Sequence, residues 1–171
     1  MEKSKAEYIR SRNGLIREIV IVIAALIIIF RFIFGIHIQK GNDMYPAIKD
    51  GDLVLYYRTH DVMNTEAVVY KESGEARIGR VEAMDGTVID MTADYQMTFD
   101  GNYLPISPAD GIYERTYAPE TFVSLPIVLD SDSCFILGDK RETARDSREF
   151  GPILKKNVMG RVVTVLRRRQ I

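Results

Sequence analysis

A chain of 171 residues with 23 Lys+Arg against 24 Asp+Glu fits one domain of ordinary size plus an appendage, and its net charge of −1 gives no support for nucleic acid as a partner. The lone Cys134 excludes an intrachain disulfide, and with only His37 and His60 beside it the chain lacks the ligand set of a zinc cluster. The charge is uneven: the first 36 residues hold Lys3, Lys5, Arg10, Arg12, Arg17 and Arg31 against Glu2, Glu7 and Glu18, a basic head before a mildly acidic body.

Residues 1–14 are polar and basic, and residues 15–37 are mostly apolar, with an uninterrupted apolar stretch over 19–30. A membrane span needs about 20 such residues, so a transmembrane anchor is expected over 15–37. Arg31 lies near its outer end and Glu18 near its inner end, where long side chains reach the interface. No small-x-small cleavage pattern follows Phe30, so the segment reads as an anchor in contact with lipid and not as a cleaved secretory signal. Basic residues crowd its N-terminal side, which predicts a cytoplasmic N-terminus (1–14) and an extracytoplasmic domain over 38–171 in a single-pass protein of the cell membrane.

The body reads as β. Runs of β-branched and aromatic residues at 53–57, 67–70, 76–83 and 87–91 are separated by turn signals at 71–75 and at Asp85-Gly86. Asp100-Gly101-Asn102 predicts a further hairpin joining 96–99 to Tyr103-Leu104. Residues 105–126 are proline-dotted, with weak strand signals at 115–117 and 121–125. Residues 135–137 form an apolar strand, with Cys134 as a buried thiol beside it; a long polar loop follows over 138–150, and 158–166 closes the sheet before the charged tail Arg167, Arg168 and Arg169. No soluble helix of three turns is expected after residue 40. Asp130-Ser131-Asp132-Ser133 opens like a calcium loop, but Phe135 stands where glycine is obligatory and no glutamate closes it, so no metal and no cofactor is expected.

Two stretches carry the functional signal: GNDMYPAIKDGD at 41–52 and LGDKRETARDSREFG at 137–151. The first is a tight loop entering a strand, a shape that commonly presents a nucleophile; the second, taken alone, is a charged loop held by Asp–Arg pairs. With an N-terminal anchor and an all-β body, the combination resembles the type I signal peptidases of Gram-positive bacteria, which carry G-x-S-M-x-P, K-R-V-x-G-x-P-G-D and G-D-N-R-x-x-S-x-D-S-R segments in that order. Here the matching stretches are Gly41-Asn42-Asp43-Met44-Tyr45-Pro46, Gly79-Arg80-Val81-Glu82-Ala83-Met84-Asp85-Gly86, and Gly138-Asp139-Lys140-Arg141 through Asp146-Ser147-Arg148 and Phe150-Gly151.

The resemblance implies a mainly β fold, a signal-peptidase-like antiparallel sheet domain behind one N-terminal transmembrane helix. It also implies that the loop architecture is kept in Met44, Pro46, Gly138, Asp139, Arg141, Asp146, Ser147, Arg148 and Gly151. The catalytic positions depart from it. Asp43 stands at the serine nucleophile, Gly79 at the lysine base and Ala144 at the serine that orients the lysine. A carboxylate at the nucleophile's position repels the developing oxyanion, and glycine supplies no proton acceptor. Loss of nucleophile or base alone costs serine hydrolases on the order of a million-fold in rate. A pseudo-peptidase is therefore expected, with no catalytic residue.

By the same resemblance an extended peptide would add along a groove walled by Ile38, Gln39, Lys40, Gly41 and Asn42 on one side and Glu75, Ala76, Arg77 and Ile78 on the other. Glycine at 79 would leave room there for a partner side chain, and Asp43 would either offer a carboxylate to a partner's lysine or arginine or cap its own loop. Signal-peptidase-like proteins of this kind accompany sortase-dependent pilus assembly, so pilin subunits or a pilus sortase are the implied partners. Two readings compete. One is a peptidase using an unconventional dyad, Asp43 with Asp139 or Asp146, or Ser147 with Lys140. The other is a regulator that sequesters signal peptides or a true signal peptidase.

Overall fold

The structure, a computed structural model, describes residues 2–93, 97–103 and 123–167. The strand signal at 115–117, the first part of that at 121–125, Gln96, Leu104 and the tail residues Arg168 and Arg169 lie outside the described residues. The chain divides into two compact units, Met1–Gly35 and Ile36–Ile171.

The first unit is helical. Helix α1 spans Glu2–Ile28, and a π-helical turn covers Ile29–Ile33 before strand β1, Phe34–Ile38, begins. The apolar run is thus divided among three elements, and the inner turns of α1 carry Arg12, Arg17 and Glu18. Among the described residues no helix is long and apolar enough to cross a membrane. The residues expected as the anchor, 15–37, are shared among α1, the π-helical turn and the first residues of β1.

The second unit is antiparallel β, as the residue pattern predicts. Its strands are β2 (Leu53–Tyr57), β3 (Ala67–Glu72), β4 (Glu75–Met84), β5 (Val88–Met91), β6 (Met97–Phe99), β7 (Asn102–Tyr103), β8 (Ile127–Val128), β9 (Ser133–Leu137), β10 (Ile153–Leu154) and β11 (Val158–Leu166). A seven-stranded sheet runs β1-β2-β11-β3-β4-β9-β10, and a four-stranded sheet runs β7-β6-β5-β8. The two-residue strands β8 and β10 gave no signal in the sequence, because a strand that short has no alternation to detect.

Alternation decides which side chains meet. On one face of the larger sheet, Val54 and Tyr56 of β2, Val69 of β3 and Ile78 of β4 pack with Met44 and Ile48 from the loop over 39–52. On the other face, Val68, Tyr70, Val81, Cys134 and Ile136 form a second cluster with Ile153 and Val158. A register irregularity between Val81 and Ala83 turns the end of β4, so that Ala83 joins Ile89, Met97, Phe135 and Leu137 in a third cluster. Strand β9 therefore separates two cores, Cys134 and Ile136 facing one and Phe135 and Leu137 the other. This is why all of its residues are buried and why it reads as an unbroken apolar run. Cys134 donates its thiol hydrogen to the Ile153 carbonyl at 3.4 Å, and burial pushes that thiol up to about 11. Buried and protonated, it is a packing residue.

One glycine allows the close approach of β11 to the end of β2. Gly160 adopts φ +156, and a β-carbon there would run into the backbone carbonyl of Tyr57. Gly160→Ala is expected to cost about 3 kcal/mol, the upper range for overpacking a tight core, measured by denaturant unfolding; unchanged stability would show that the strands separate without penalty.

Candidate functional site

Among the described residues, half of strand β4 has a neighbour on only one side. Strand β3 pairs with it from Glu75 to Arg80, whereas β9 pairs with it only from Arg80 to Met84. Among the described residues no strand covers 75–79 on the β9 side, which leaves a short free edge in the middle of the sheet. Gly79 lies at the inner end of that edge, opposite Val68 of β3. A β-carbon on it would overlap Cγ2 of Ile136 and stand 3.2 Å from the Leu137 carbonyl and 3.3 Å from Cε1 of Tyr70. The room expected at this position is therefore absent: Ile136 and Tyr70 fill it.

The loop over 39–52 is built by its own polar residues. Gln39 donates its amide to the Asp52 carbonyl and accepts from the Gly51 amide, both at 2.9 Å. The carboxylate of Asp50 accepts from the Gly41 amide at 2.7 Å, and that of Asp52 from the Lys49 amide at 2.9 Å. Asn42 accepts from the Asp50 amide at 3.2 Å, while fully buried Met44 plugs the loop into the core beside Ile48. A cis bond joins Tyr45 to Pro46. Asp50 was not singled out in the sequence, although its place just before a strand is the usual signature of a carboxylate that ties down a turn.

Asp43 is held from outside the loop. Its carbonyl accepts the Lys140 amide at 2.9 Å and would stand only 2.6 Å from a β-carbon on Gly138, which must therefore be glycine. The same β-carbon would meet that of Ala144, so Asp43, Gly138 and Ala144 are brought into contact. The carboxylate of Asp43 is half-buried and accepts no hydrogen bond among the described residues, so it does not cap its loop. Burial raises its pKa above the ordinary carboxylate value, opposed by the Arg77 guanidinium and reinforced by Asp146.

The loop over 138–151 closes around a buried ion pair. Asp146 caps the single helical turn α2, Ser147–Phe150, accepting from the Arg148 amide at 3.1 Å and from the Gly138 amide at 2.9 Å. It also takes both Nε and Nη2 of Arg148 at 2.8 Å. Arg148, only 2% exposed, spends its remaining donors on the carbonyls of Arg141 (2.7 Å) and Ala144 (3.2 Å). Ser147, fully buried, accepts the Ile136 amide at 3.0 Å, and Gly151 ends the turn at φ 82.

Two further ion pairs clip this loop to β4. Asp139 receives Arg80 in a bidentate contact at 2.9 Å, and Glu82 receives Arg141 at 2.6 Å. Burial raises the pKa of Glu82 against the pull of Arg141. Arg80 and Glu82 were missed as site residues; the signal was two charges on one strand face beside buried Val81.

These commitments decide the chemistry. Asp139 and Asp146 are consumed by arginines and cannot share a proton with Asp43 as an acid dyad. Ser147 has no exposed surface and its oxygen already accepts a backbone bond, so it cannot reach a substrate carbonyl. Tyr70, buried on the face shared with Gly79, has its phenol pKa raised by desolvation, Asp146 adding to the effect, and is no base at neutral pH.

Comparison with known proteins places these features in context. A sequence model of the family described as "Signal peptidase, peptidase S26" matches residues 12–166. The chain is similar to the "Inactive signal peptidase IA" of Staphylococcus aureus (strain COL), 24% identical over 149 residues, covering 83% of this chain and 85% of that protein. It is also similar to "Signal peptidase I" of Bacillus amyloliquefaciens, 23% identical with 92% and 91% covered. Among solved structures, a signal peptidase I from Enterococcus faecalis V583 matches with a TM-score of 0.43 at 20% identity, covering 61% of this chain and 97% of that one.

Two outcomes follow from this geometry. Gly79→Ala is expected to destabilise the domain by roughly 1–3 kcal/mol, because a β-branched neighbour in a closed core cannot step aside cheaply; an unchanged denaturation midpoint would mean that the floor is soft. For Asp43 the folded state favours the neutral acid, so ionising it lowers stability as pH rises above the ordinary carboxylate range. Asp43→Asn should then melt higher than the native chain at neutral pH, with the gap closing as pH falls through the raised pKa towards the ordinary carboxylate value. A lower melting temperature for the Asn variant at neutral pH would show that the carboxylate accepts a bond the fold needs.

Proposed function

Because the chain belongs to the peptidase S26 signal peptidase family, we propose that it is a non-catalytic member of that family that works by binding. In this reading an extended segment of a pilin subunit or of a pilus sortase adds as a strand along residues 75–79, and the complex assists sortase-dependent pilus assembly. Strand addition draws affinity from backbone hydrogen bonds and needs no nucleophile. The observation that carries the reading is the free edge of β4 above a floor closed by Ile136 and Tyr70. The edge can receive a peptide, and the floor has no volume for a lysine base. Residues 38–42 would form the opposite wall.

The same proposal sets the protein at the cell membrane. The apolar residues shared by α1 and the following π-turn would hold it there, with the basic N-terminus inside and the β domain outside. The naming of similar Staphylococcus proteins as inactive supports the non-catalytic half of the reading. The competing peptidase reading loses its candidates one by one: Asp139 and Asp146 to arginines, Ser147 to the Ile136 amide. A regulator that sequesters signal peptides would use the same edge, and the choice between it and pilus assembly rests on the partner.

Two measurements test the proposal. The full chain incubated with a signal-peptide-bearing precursor should leave it uncut, and Asp43→Ser combined with Gly79→Lys should leave it uncut as well. Cleavage by the native chain that survives Asp43→Ala would overturn the reading. Pilus polymers should fail to form in a strain lacking this chain; normal polymers there would refute the assembly role.

A further inference from the structure

Arg77 is the residue of the β4 edge that the loop architecture does not consume. It lies two positions from Gly79, on the same strand face, and opposite Tyr70 of β3. Its Nη2 donates to Glu75 at 2.9 Å, but that glutamate side chain is 73% exposed, and a pair of this kind is weak. Nε of Arg77 is buried with no acceptor, and Nη1 has no partner among the described residues. Arg141 also keeps a buried Nη1 without a partner, but its Nη2 is committed to Glu82, itself nearly buried, and the remaining arginines around the site are engaged. Arg145 is bidentate to Glu149, Arg148 to Asp146 and Arg80 to Asp139.

The unspent guanidinium is nevertheless held in place. Phe150 carries Arg77 with its Cζ 5.2 Å from the ring centroid and Arg145 at 5.5 Å, so the aromatic ring orients both. The field of Arg77 reaches Asp43, Tyr70 and Glu149. A donor with most of its hydrogens unused, beside a strand edge with no neighbour among the described residues, is suited to an acceptor that arrives with a partner.

The charge around Arg77 selects that acceptor. Glu75, Glu149, Asp43 and Asp146 surround the guanidinia of Arg77, Arg145 and Arg148, so the region carries one carboxylate more than it has arginines. An incoming carboxylate would meet this excess, and an incoming ammonium would meet Arg77 itself. A peptide carbonyl is neutral and strongly accepting, and it meets neither objection.

We propose that Arg77 is a specificity-determining residue of the peptide site, donating to a backbone carbonyl of a strand added along residues 75–79 and favouring an uncharged residue at that point. The inference rests on the peptide-binding reading and adds to it the group that reads the ligand. It shifts the polar recognition of the site from Asp43 and Gly79 to a side chain two residues up the strand.

The test uses the full chain in detergent and fluorescent, N-acetylated, C-amidated decapeptides of alternating alanine and valine, whose central residue is Ala, Lys or Glu. A second Ala peptide has the central amide replaced by an ester, which weakens the carbonyl as an acceptor while keeping its shape. The native chain should bind the Ala peptide more tightly than the Lys and Glu peptides. Arg77→Ala should weaken that binding roughly tenfold or more, the scale of one charge-assisted hydrogen bond. The ester should weaken binding to the native chain but not to Arg77→Ala, a coupling that a merely structural role of Arg77 would not produce. Arg77→Lys, which keeps a donor, should recover part of the loss, and thermal melting of both variants reports whether the fold is intact. If the native chain binds none of these peptides, the peptide-site reading falls and this inference with it. If it binds them and either Arg77→Ala binds equally or the ester effect persists in that variant, the role of Arg77 alone is overturned.

Discussion

The buried pair of Asp146 and Arg148 is the interaction on which the rest of the site depends. Neither side chain retains more than 2% of its surface, so both charges have left water and must be satisfied inside. Asp146 takes two amides and two guanidinium donors; Arg148 reaches two carbonyls of its own loop. Removing one partner of a buried pair costs about 3–5 kcal/mol, because the survivor is stranded. Through this pair, the amide of Gly138 and the carbonyls of Arg141 and Ala144 are fixed together. The Lys140 amide that holds Asp43 lies between them. The position of Asp43 is therefore inherited from a charge pair on another loop.

A second constraint comes from the central sheet. Strand β4 belongs to two pairings that overlap at one residue, Arg80, and each half does different work. Beyond Arg80 it is enclosed by β9, and its Arg80 and Glu82 clip the loop over 138–151 through Asp139 and Arg141. Before Arg80 it is open on one side, and its side chains are glutamate, alanine, arginine and isoleucine. The enclosed half clips the loop, and among the described residues no strand pairs with the other half on the β9 side. The side chains that build the loops are thus distinct from Asp43 and Gly79, the positions at which the chain departs from the motifs it resembles.

Much of this was legible in the sequence, and what was not has a physical explanation. The long strands announced themselves as runs of β-branched and aromatic residues between turn signals, and the closing strand expected over 158–166 coincides with β11. The charged loop over 138–151 was readable as a set of Asp–Arg pairs, although Asp139 turned out to pair with Arg80, 59 residues earlier in the chain. Long-range pairing of that kind leaves no local trace. The span expected over 15–37 followed from hydropathy alone, which counts apolar residues and is blind to the change from helix to strand at Phe34. The open space assumed at Gly79 failed for a related reason. A glycine's spelling says nothing of what its neighbours do with the volume, and here Ile136 and Tyr70 have taken it.

That filled volume has a historical consequence. If a distant ancestor of this chain carried a long side chain where Gly79 now stands, its loss and the growth of Ile136 and Tyr70 into the vacancy are not symmetric events. The first step relaxes packing, whereas reversing it requires both neighbours to retreat before the returning side chain can be accommodated. A long side chain introduced first would give an overpacked, less stable protein. Packing of this kind works as a ratchet: a long side chain at residue 79 becomes possible only after changes at residues 70 and 136.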